Sequence, residues 1–333
     1  MTKRLIELLF IVFLLTKWTD LFSKTPILYV TTRSTEKFKL NSQDNPTIGL
    51  FSTADRGKTW SHYGWKYGKF FSAATAWQDG KQVFYQAAGN GIFKSEDGGK
   101  SWKITTGWNM TECLKVVIDP VNPNTVYAAT AYGIFKTSDG GQTWQEKNVG
   151  LASTFTPTLV IDKNIPRLLF CATENGIHRS QDAGEKWEPI ALLGMGIRTI
   201  VQHPQFAELL AVGTEENGIF ISTDSGTTWQ KKNIGLTHQT VYALAFSPKD
   251  KNIIYAGTFA GGIFRTDNGG ESWRPVNQNL RILDIHALVV DPIKTEIVFA
   301  GTLNDGVWMS TNGGESWEFI GLETSQVWDM FIL

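Results

Sequence analysis

The chain carries one short motif seven times at nearly constant spacing. In the third copy, Ile134–Trp144, two β-favouring residues lead into Thr-Ser-Asp-Gly-Gly and a tryptophan follows. Asp and Gly are the residues that tight reversals need, and the flanking bulky residues favour strands. The tryptophans of the seven copies are Trp60, Trp102, Trp144, Trp187, Trp229, Trp273 and Trp317, separated by 42, 42, 43, 42, 44 and 44 residues. A period held this closely indicates a repeat architecture whose units bury their cores only by stacking.

Each repeat contains four candidate strands. In the third unit they are Cys113–Asp119, Thr125–Thr130, Gly133–Thr137 and Thr143–Lys147. The connections between them are short and rich in Pro, Asn and Gly, as antiparallel hairpins require. Four antiparallel strands in each 40–45 residues are typical of one propeller blade.

The two ends of the repeat region complement each other. Ile27–Thr32 matches the second strand of a repeat, whereas Val327–Leu333 matches a first strand and then the chain stops. Joining them would leave no open sheet edge. The sequence therefore predicts an all-β, seven-bladed β-propeller of four-stranded antiparallel blades. Its ring is closed by the C-terminal strand, which completes the first blade.

Residues 1–22 do not fit the repeat. Lys3 and Arg4 precede an apolar run from Leu5 to Leu15 that only Glu7 interrupts. This run is too short to cross a bilayer unaided but suits a secretory signal. No clear Ala-x-Ala cleavage site follows, so an uncleaved membrane anchor or a short amphipathic helix is the alternative. We expect an exported protein in which residues 1–22 are a signal peptide or N-terminal membrane anchor and residues 23–333 form one propeller domain.

Composition excludes some classes of function. The formal net charge is −1, which gives no electrostatic footprint for nucleic acid. The two cysteines, Cys113 and Cys171, lie in different repeats and read as buried free thiols. The five histidines show no metal-ligand spacing, and no phosphate-binding glycine loop is present. We expect no metal, no cofactor and a monomeric chain.

The turn reads Ser/Thr-x-Asp-x-Gly-x-Ser/Thr-Trp and resembles the BNR, or Asp-box, repeat. The copy that begins at Ser180 departs from it, because Lys186 precedes Trp187. With phrases such as Ile254–Thr258, the chain looks like bacterial propellers grouped with sialidases, xyloglucan-type glycoside hydrolases and photosystem II assembly factors. The resemblance implies a propeller fold and leaves the chemistry open.

The acidic residue of the turn is interpreted as structural. The same residue type recurs in every blade on the outer part of the sheet, where no two copies converge. These residues are Asp55, Asp97, Asp139, Asp182, Asp224, Asn268 and Asn312.

The sequence matches the enzymes of these groups only in part. Sialidases use an arginine triad and an early Phe/Tyr-Arg-Ile-Pro motif, which this sequence lacks. Xyloglucan-type hydrolases place two acids between two tandem propellers, and this chain has the length of one. Glycosidase chemistry needs two carboxyl groups at a fixed separation, which a sequence does not give. We therefore predict no catalytic residues.

Two groups of residues are candidates for binding. The first lies on the variable loops, where aromatic and acidic side chains suit a sugar or a peptide; it comprises Trp65, Trp108, Tyr132, Glu174, Glu215 and Asp305. The second is the second position of each inner strand, which reads Ser72, Leu114, Pro157, Arg198, Tyr242, His286 and Trp328. Arg198, Tyr242, His286 and Trp328 would form an arc at one mouth of a central channel. Alternatives are a polar rim and a filled channel.

These observations favour a non-catalytic, exported binding or assembly scaffold. Its partner would be a protein complex or a glycan, with membrane association possible through the N-terminal segment. The alternative is a carbohydrate-active propeller that binds or hydrolyses glycans.

Overall fold

In a computed structural model, the structure describes residues 26–33, 48–65 and 68–333. Within these ranges, 28 strands form seven four-stranded antiparallel sheets. The predicted seven-bladed propeller is thus confirmed. The signal peptide or anchor predicted over residues 1–22 lies outside the described residues.

The blades are numbered along the chain, and each is given from its inner strand outward. Blade 1 consists of Gln326–Ile332 (β28), Leu28–Arg33 (β1), Gly49–Thr53 (β2) and Ser61–Tyr63 (β3). Blade 2 consists of Phe70–Gln78 (β4), Lys81–Ala88 (β5), Gly91–Ser95 (β6) and Lys103–Ile104 (β7). Blade 3 consists of Cys113–Ile118 (β8), Val126–Thr130 (β9), Gly133–Thr137 (β10) and Gln145–Glu146 (β11).

The remaining blades follow the same order. Blade 4 consists of Leu159–Ile161 (β12), Leu169–Thr173 (β13), Gly176–Ser180 (β14) and Glu188–Ala191 (β15). Blade 5 consists of Ile197–Gln202 (β16), Leu210–Thr214 (β17), Ile219–Ser222 (β18) and Gln230–Lys231 (β19). Blade 6 consists of Val241–Phe246 (β20), Ile254–Thr258 (β21), Gly262–Thr266 (β22) and Arg274–Pro275 (β23). Blade 7 consists of Ile285–Val290 (β24), Val298–Thr302 (β25), Val307–Ser310 (β26) and Glu318–Gly321 (β27).

Ring closure follows the sequence prediction. Strand β28 pairs antiparallel with β1, from Leu28 opposite Ile332 to Arg33 opposite Gln326. Val327 and Met330 are buried in a core shared with blade 7. The last residues of the chain therefore complete the blade that its first described residues begin.

The apolar core lies between neighbouring blades, and polar atoms of large side chains link them. The indole Nε1 of Trp187 donates to the Lys147 carbonyl of the preceding blade at 2.8 Å, and Trp273 and Trp317 make equivalent bonds. The Tyr127 hydroxyl donates to the Ala183 carbonyl of the following blade at 3.0 Å. These bonds in both directions fix the blades in a ring and so position their inner strands.

Other features of the described residues bear on the sequence predictions. Cys113 and Cys171 are buried free thiols in different blades, as expected. No helix formed by the described residues is long and apolar enough to span a bilayer. Among these residues, no group of three or more His, Cys, Asp or Glu side chains could hold a metal ion.

Candidate functional site

The propeller has two distinct faces. On the first, which we call the loop face, the turns between second and third strands are bonded to the connections between blades. The Glu215 amide donates to the Gly196 carbonyl, and the Phe259 amide to the Thr240 carbonyl, each within 3.0 Å. On the opposite face, the Asp-box turns are bonded to the loops between first and second strands, as where the Gly140 amide donates to Asn124. The variable loops and the inner-strand starts therefore share the loop face.

A cavity of about 740 Å³ lies on the ring axis below the loop face. Residues from all seven inner strands or their leading segments line it. A cavity of this size falls within the usual range for small-molecule sites. The channel is therefore not filled by side chains at this end.

A β-bulge near the start of the inner strand sets which side chain points into the cavity. In blades 5, 6 and 7 the register skips Arg198, Tyr242 and His286. A bulge re-aims the extra side chain away from the regular alternation. The same skip occurs at Trp328 in blade 1, where Val327 faces Thr32 and Asp329 faces Thr31. All four predicted arc residues line the cavity.

The bulge also corrects one sequence assignment. In blade 2 the register passes from Phe70 to Ser72, so Phe71 is the bulged residue and lines the cavity. Ser72 was aligned with the arc positions one residue too late. The error arose because two phenylalanines precede it, and a periodic alignment does not show which one is extra.

Aromatic rings form a continuous row along one wall. Tyr242 stacks on His286 with ring centroids 4.5 Å apart and an interplanar angle of 24°. His286 meets Trp328 edge-on at 5.0 Å, and Trp328 meets Phe71 edge-on at 5.3 Å. The Arg33 guanidinium lies over the Trp328 ring, 5.4 Å from its centroid. We call the row Phe71, Trp328, His286 and Tyr242 the aromatic wall.

His286 stays uncharged within this wall. Burial lowers its pKa to about 4, because the charged imidazolium would lose its water. The Asp284 carboxylate opposes this shift, and the Arg33 guanidinium adds to it. The wall is therefore neutral at ordinary pH.

Arg198 continues the arc but not the aromatic wall. Its guanidinium forms an ion pair with Glu215 and lies 5.7 Å from the centroid of the Phe155 ring. Glu215 is thus the loop candidate that the structure connects to the arc. Because the Glu215 carboxylate balances the charge of Arg198, the two side chains together carry no net charge.

A second tier of residues follows the bulged positions. In the six blades with a recorded bulge these residues are Ser72, Lys115, Thr199, Ala243, Ala287 and Asp329, and in blade 4 the equivalent position is Thr158. All of them except Ser72, which is buried, line the cavity. Lys115 Nζ donates to Asp329 Oδ2 at 2.7 Å, and Ser72 Oγ donates to the same oxygen at 2.7 Å. Sequence reasoning missed this pair. The signal was present, because Lys115 and Asp329 directly follow two positions of the predicted ring.

The other loop candidates lie apart from the cavity. None of Trp65, Trp108, Tyr132, Glu174 and Asp305 lines it, and they are spread over different blades. Trp108 is 97% exposed, whereas Trp65 packs edge-on against Phe93 at 5.5 Å. Asp305 pairs with Arg281 at 3.0 Å. The structure thus does not bring these loop candidates together into one site.

The Asp-box side chains are occupied within their own turns. Asp139 Oδ1 accepts from the Thr137 hydroxyl at 2.7 Å and from the Thr143 amide at 2.9 Å, and Oδ2 accepts from the Thr143 hydroxyl at 2.6 Å. Such bonds favour the charged carboxylate, and in the equivalent turns they lower the pKa of Asp55 and Asp224 to about 2. In the turn that departs from the motif, Asp182 bonds Ser180 and the Lys186 amide.

Comparison with known proteins agrees with this fold. The model of the Sortilin-Vps10 family (sortilin, neurotensin receptor 3) matches residues 175–259, a stretch from blade 4 to blade 6. No curated protein sequence matches the chain significantly. Among solved structures, a GH74 enzyme from Niastella koreensis superposes with a TM-score of 0.70 at 16% identity, covering 88% of this chain and 52% of that one.

Two further structures are similar. YCF48 from Cyanidioschyzon merolae has a TM-score of 0.58 at 17% identity, covering 86% of this chain and 96% of that one. The extracellular domain of the putative hybrid two component system BT4673 from B. thetaiotaomicron has a TM-score of 0.63 at 17% identity, covering 79% of this chain and 35% of that one. This chain shares their propeller fold. It spans about half the length of the GH74 enzyme, and at these identities the likeness is one of fold alone.

The cavity offers two kinds of surface. Its wall offers flat rings, and its second tier offers an ion pair and threonine hydroxyls. Asp329 Oδ2 accepts hydrogen bonds from Lys115 Nζ and Ser72 Oγ. The arrangement suits recognition of a ligand with both apolar and hydroxyl-bonding parts.

Proposed function

We propose that this chain is an exported, non-catalytic binding propeller that recognises a protein or glycan partner at the mouth of its channel. The observation that carries the proposal is the cavity of about 740 Å³ bounded by the aromatic wall. Rings held by the inner strands of four blades present a flat contact area at little cost in conformational entropy.

A buried polar atom supports the same surface. The indole Nε1 of Trp328 has no hydrogen-bond acceptor among the residues that the structure describes, although the atom is buried. An unpaired buried donor costs about 1–3 kcal/mol, and a fold that keeps one calls for an explanation. A partner that shifts this ring and accepts a hydrogen bond from its N–H group would supply that explanation.

Export belongs to the same proposal. Residues 1–22 would direct the chain across a membrane or anchor it there, and residues 23–333 would act as the binding domain. The similar extracellular domain of BT4673 and the YCF48 structure bound to a D1 peptide provide precedents for such roles in this fold. These precedents concern those two proteins.

Hydrolysis of a glycan is the second candidate, favoured by the aromatic wall and by the fold that a GH74 enzyme shares. Two carboxyl groups of this chain line the cavity, Glu112 and Asp329. A hydrolase would need both to flank the bond that breaks. Release of reducing sugar from a glycan, lost in Glu112→Gln, would establish hydrolysis and contradict the non-catalytic proposal.

The binding proposal is tested by the double substitution Arg198→Ala and Trp328→Ala. Binding is measured in two assays: tryptophan fluorescence titration with soluble glycans, and copurification with membrane complexes of the source cell. We expect the double variant to lose the partner that the natural chain binds, because two adjoining parts of the arc are removed. Its far-ultraviolet circular dichroism should remain that of a folded propeller.

The matched control is Trp108→Ala, which removes a fully exposed tryptophan on another part of the loop face. This variant should bind as the natural chain does. Unchanged binding by a folded double variant would show that the partner sits elsewhere on the molecule.

A further inference from the structure

The second tier of the cavity holds a hydrogen-bonding pair that is only partly used. Both bonds to Asp329, from Lys115 and from Ser72, end on Oδ2. Its Oδ1 accepts no hydrogen bond from any residue in the described ranges. An ammonium carries three donors, and the bond to Asp329 uses one of those on Lys115. A free acceptor and free donors therefore stand side by side within the cavity.

The pair lies beside surfaces of different character. The aromatic wall rises on one side, and the residues that follow Tyr242 and His286 are Ala243 and Ala287, whose small side chains leave space. The other side is aliphatic, with Leu114 among its lining residues. A ligand that fills this space needs a flat apolar face and, at its edge, groups that both donate and accept.

Two ion pairs account for the cations that line the cavity. Lys115 is paired with Asp329, and Arg198 is paired with the neighbouring Glu215. Glu112 in the lining and Arg33 over the aromatic wall add one further charge of each sign. A charged ligand would compete with one partner of such a pair. The lining therefore favours a ligand without net charge.

On the basis of the binding role proposed above, we infer that the cavity takes a neutral sugar ring and holds two adjacent hydroxyl groups of that ring on Asp329 and Lys115. One hydroxyl donates to Asp329 Oδ1, and its neighbour accepts from Lys115 Nζ. The C–H face of the ring packs against the aromatic wall, because such faces are apolar while the ring edge is polar. A primary amide of a peptide could satisfy the pair, but it has no comparable flat face.

The experiment titrates the full chain with neutral methyl pyranosides of glucose, galactose and mannose at millimolar concentrations, followed by tryptophan fluorescence and calorimetry. At least one should bind. Deoxy analogues of that sugar should identify two adjacent hydroxyls whose separate removal weakens binding by about ten-fold, the effect of losing one hydrogen bond to a charged group. Asp329→Asn and Lys115→Met should weaken binding to a similar degree.

The matched control is Lys147→Met, which breaks an ion pair of similar length, 2.6 Å to Glu185, on the outer part of a blade. It should bind the sugar as the natural chain does. A thermal melt of each variant checks that it is folded, and Trp328→Phe, which keeps a ring in the wall, provides a second milder test.

The outcomes separate this inference from the proposed function. If no neutral sugar binds, while a peptide or a charged ligand binds in a manner lost in Trp328→Ala, the sugar assignment is wrong and the binding role stands. If a sugar binds but Asp329→Asn and Lys115→Met do not weaken it, the pair is not its site. If every partner found binds the double variant Arg198→Ala, Trp328→Ala unchanged, both proposals fail.

Discussion

At the scale of single residues, His286 links the aromatic wall to the acid stability of the fold. Its pKa is lowered from 6.5 to about 4 by burial. In the unfolded chain the imidazole regains its ordinary pKa, so the unfolded state takes up a proton first as the pH falls. The contribution to stability is thus present above about pH 6.5 and is lost as the pH falls toward about 4.

The predicted test is the substitution His286→Gln. From about pH 7.5 to about pH 5, proton uptake by unfolded His286 should remove about 2 kcal/mol of stability. The variant should lose less stability by about that amount, as measured by urea unfolding at both pH values. Burial also lowers the pKa of His178 and His203, so some dependence on pH should remain.

His238→Gln serves as the control, because His238 lies exposed on the surface. It should show the dependence of the natural chain. Equal slopes for the natural chain and His286→Gln would show that this imidazole titrates alike in the folded and unfolded states.

The same scale shows what sequence could and could not provide for the site. Arg198, Tyr242, His286 and Trp328 were found because a repeat exposes any position that turns polar or aromatic in successive blades. Phe71 was missed because a bulge shifts the register by one residue, which changes the direction of a side chain without changing the period. Lys115 and Asp329 directly follow two positions of the predicted ring, but the spacing does not show that blades 1 and 3 bring these side chains into contact beside Ser72 of blade 2.

At the scale of elements, the seven Asp-box turns allow a comparison of aspartate with asparagine at the same position. Two of the seven copies have asparagine, and Asn268 keeps the same pattern: Oδ1 accepts from the Thr266 hydroxyl and the Ser272 amide, and Nδ2 donates to the Ser272 hydroxyl. The turn therefore depends on hydrogen bonds that either side chain can make, rather than on the negative charge. The recurrence of the motif in every blade predicts this structural use from the sequence.

This gives a prediction for the turn at Asp139. Asp139→Ala removes four hydrogen bonds and should lower the midpoint of thermal unfolding by a few degrees. Asp139→Asn should stay closer to the natural chain, since the asparagine at Asn268 makes the equivalents of three of these bonds. Differential scanning calorimetry of the two variants provides the measurement. Equal losses in both would mean that the carboxylate charge itself holds the turn.

At the scale of the whole molecule, the fold was predictable in full from a periodic motif and two mismatched ends. The first repeat lacks its inner strand and the chain ends in one extra strand. In a ring, pairing this last strand with the first repeat leaves no open sheet edge. The partner was not predictable, because propellers of this fold have different functions in different proteins. The cavity is also shaped by side chains that vary from blade to blade.

Ring closure itself gives the last prediction. Deletion of residues 327–333 removes the inner strand of blade 1 and leaves β1 with an unpaired edge. Val327 and Met330 are buried, and losing them alone should cost about 3–6 kcal/mol of burial, a large part of the stability of an ordinary protein. The truncated chain should therefore unfold at a much lower temperature than the natural chain or fail to fold.

A synthetic peptide with the sequence of residues 325–333, added in trans, should restore part of the lost stability by occupying the vacant position beside β1. A peptide of the same composition in scrambled order should not, because its apolar residues would face the wrong sides of the sheet. A truncated chain that melts within a few degrees of the intact one would show that the first blade is stable without its inner strand.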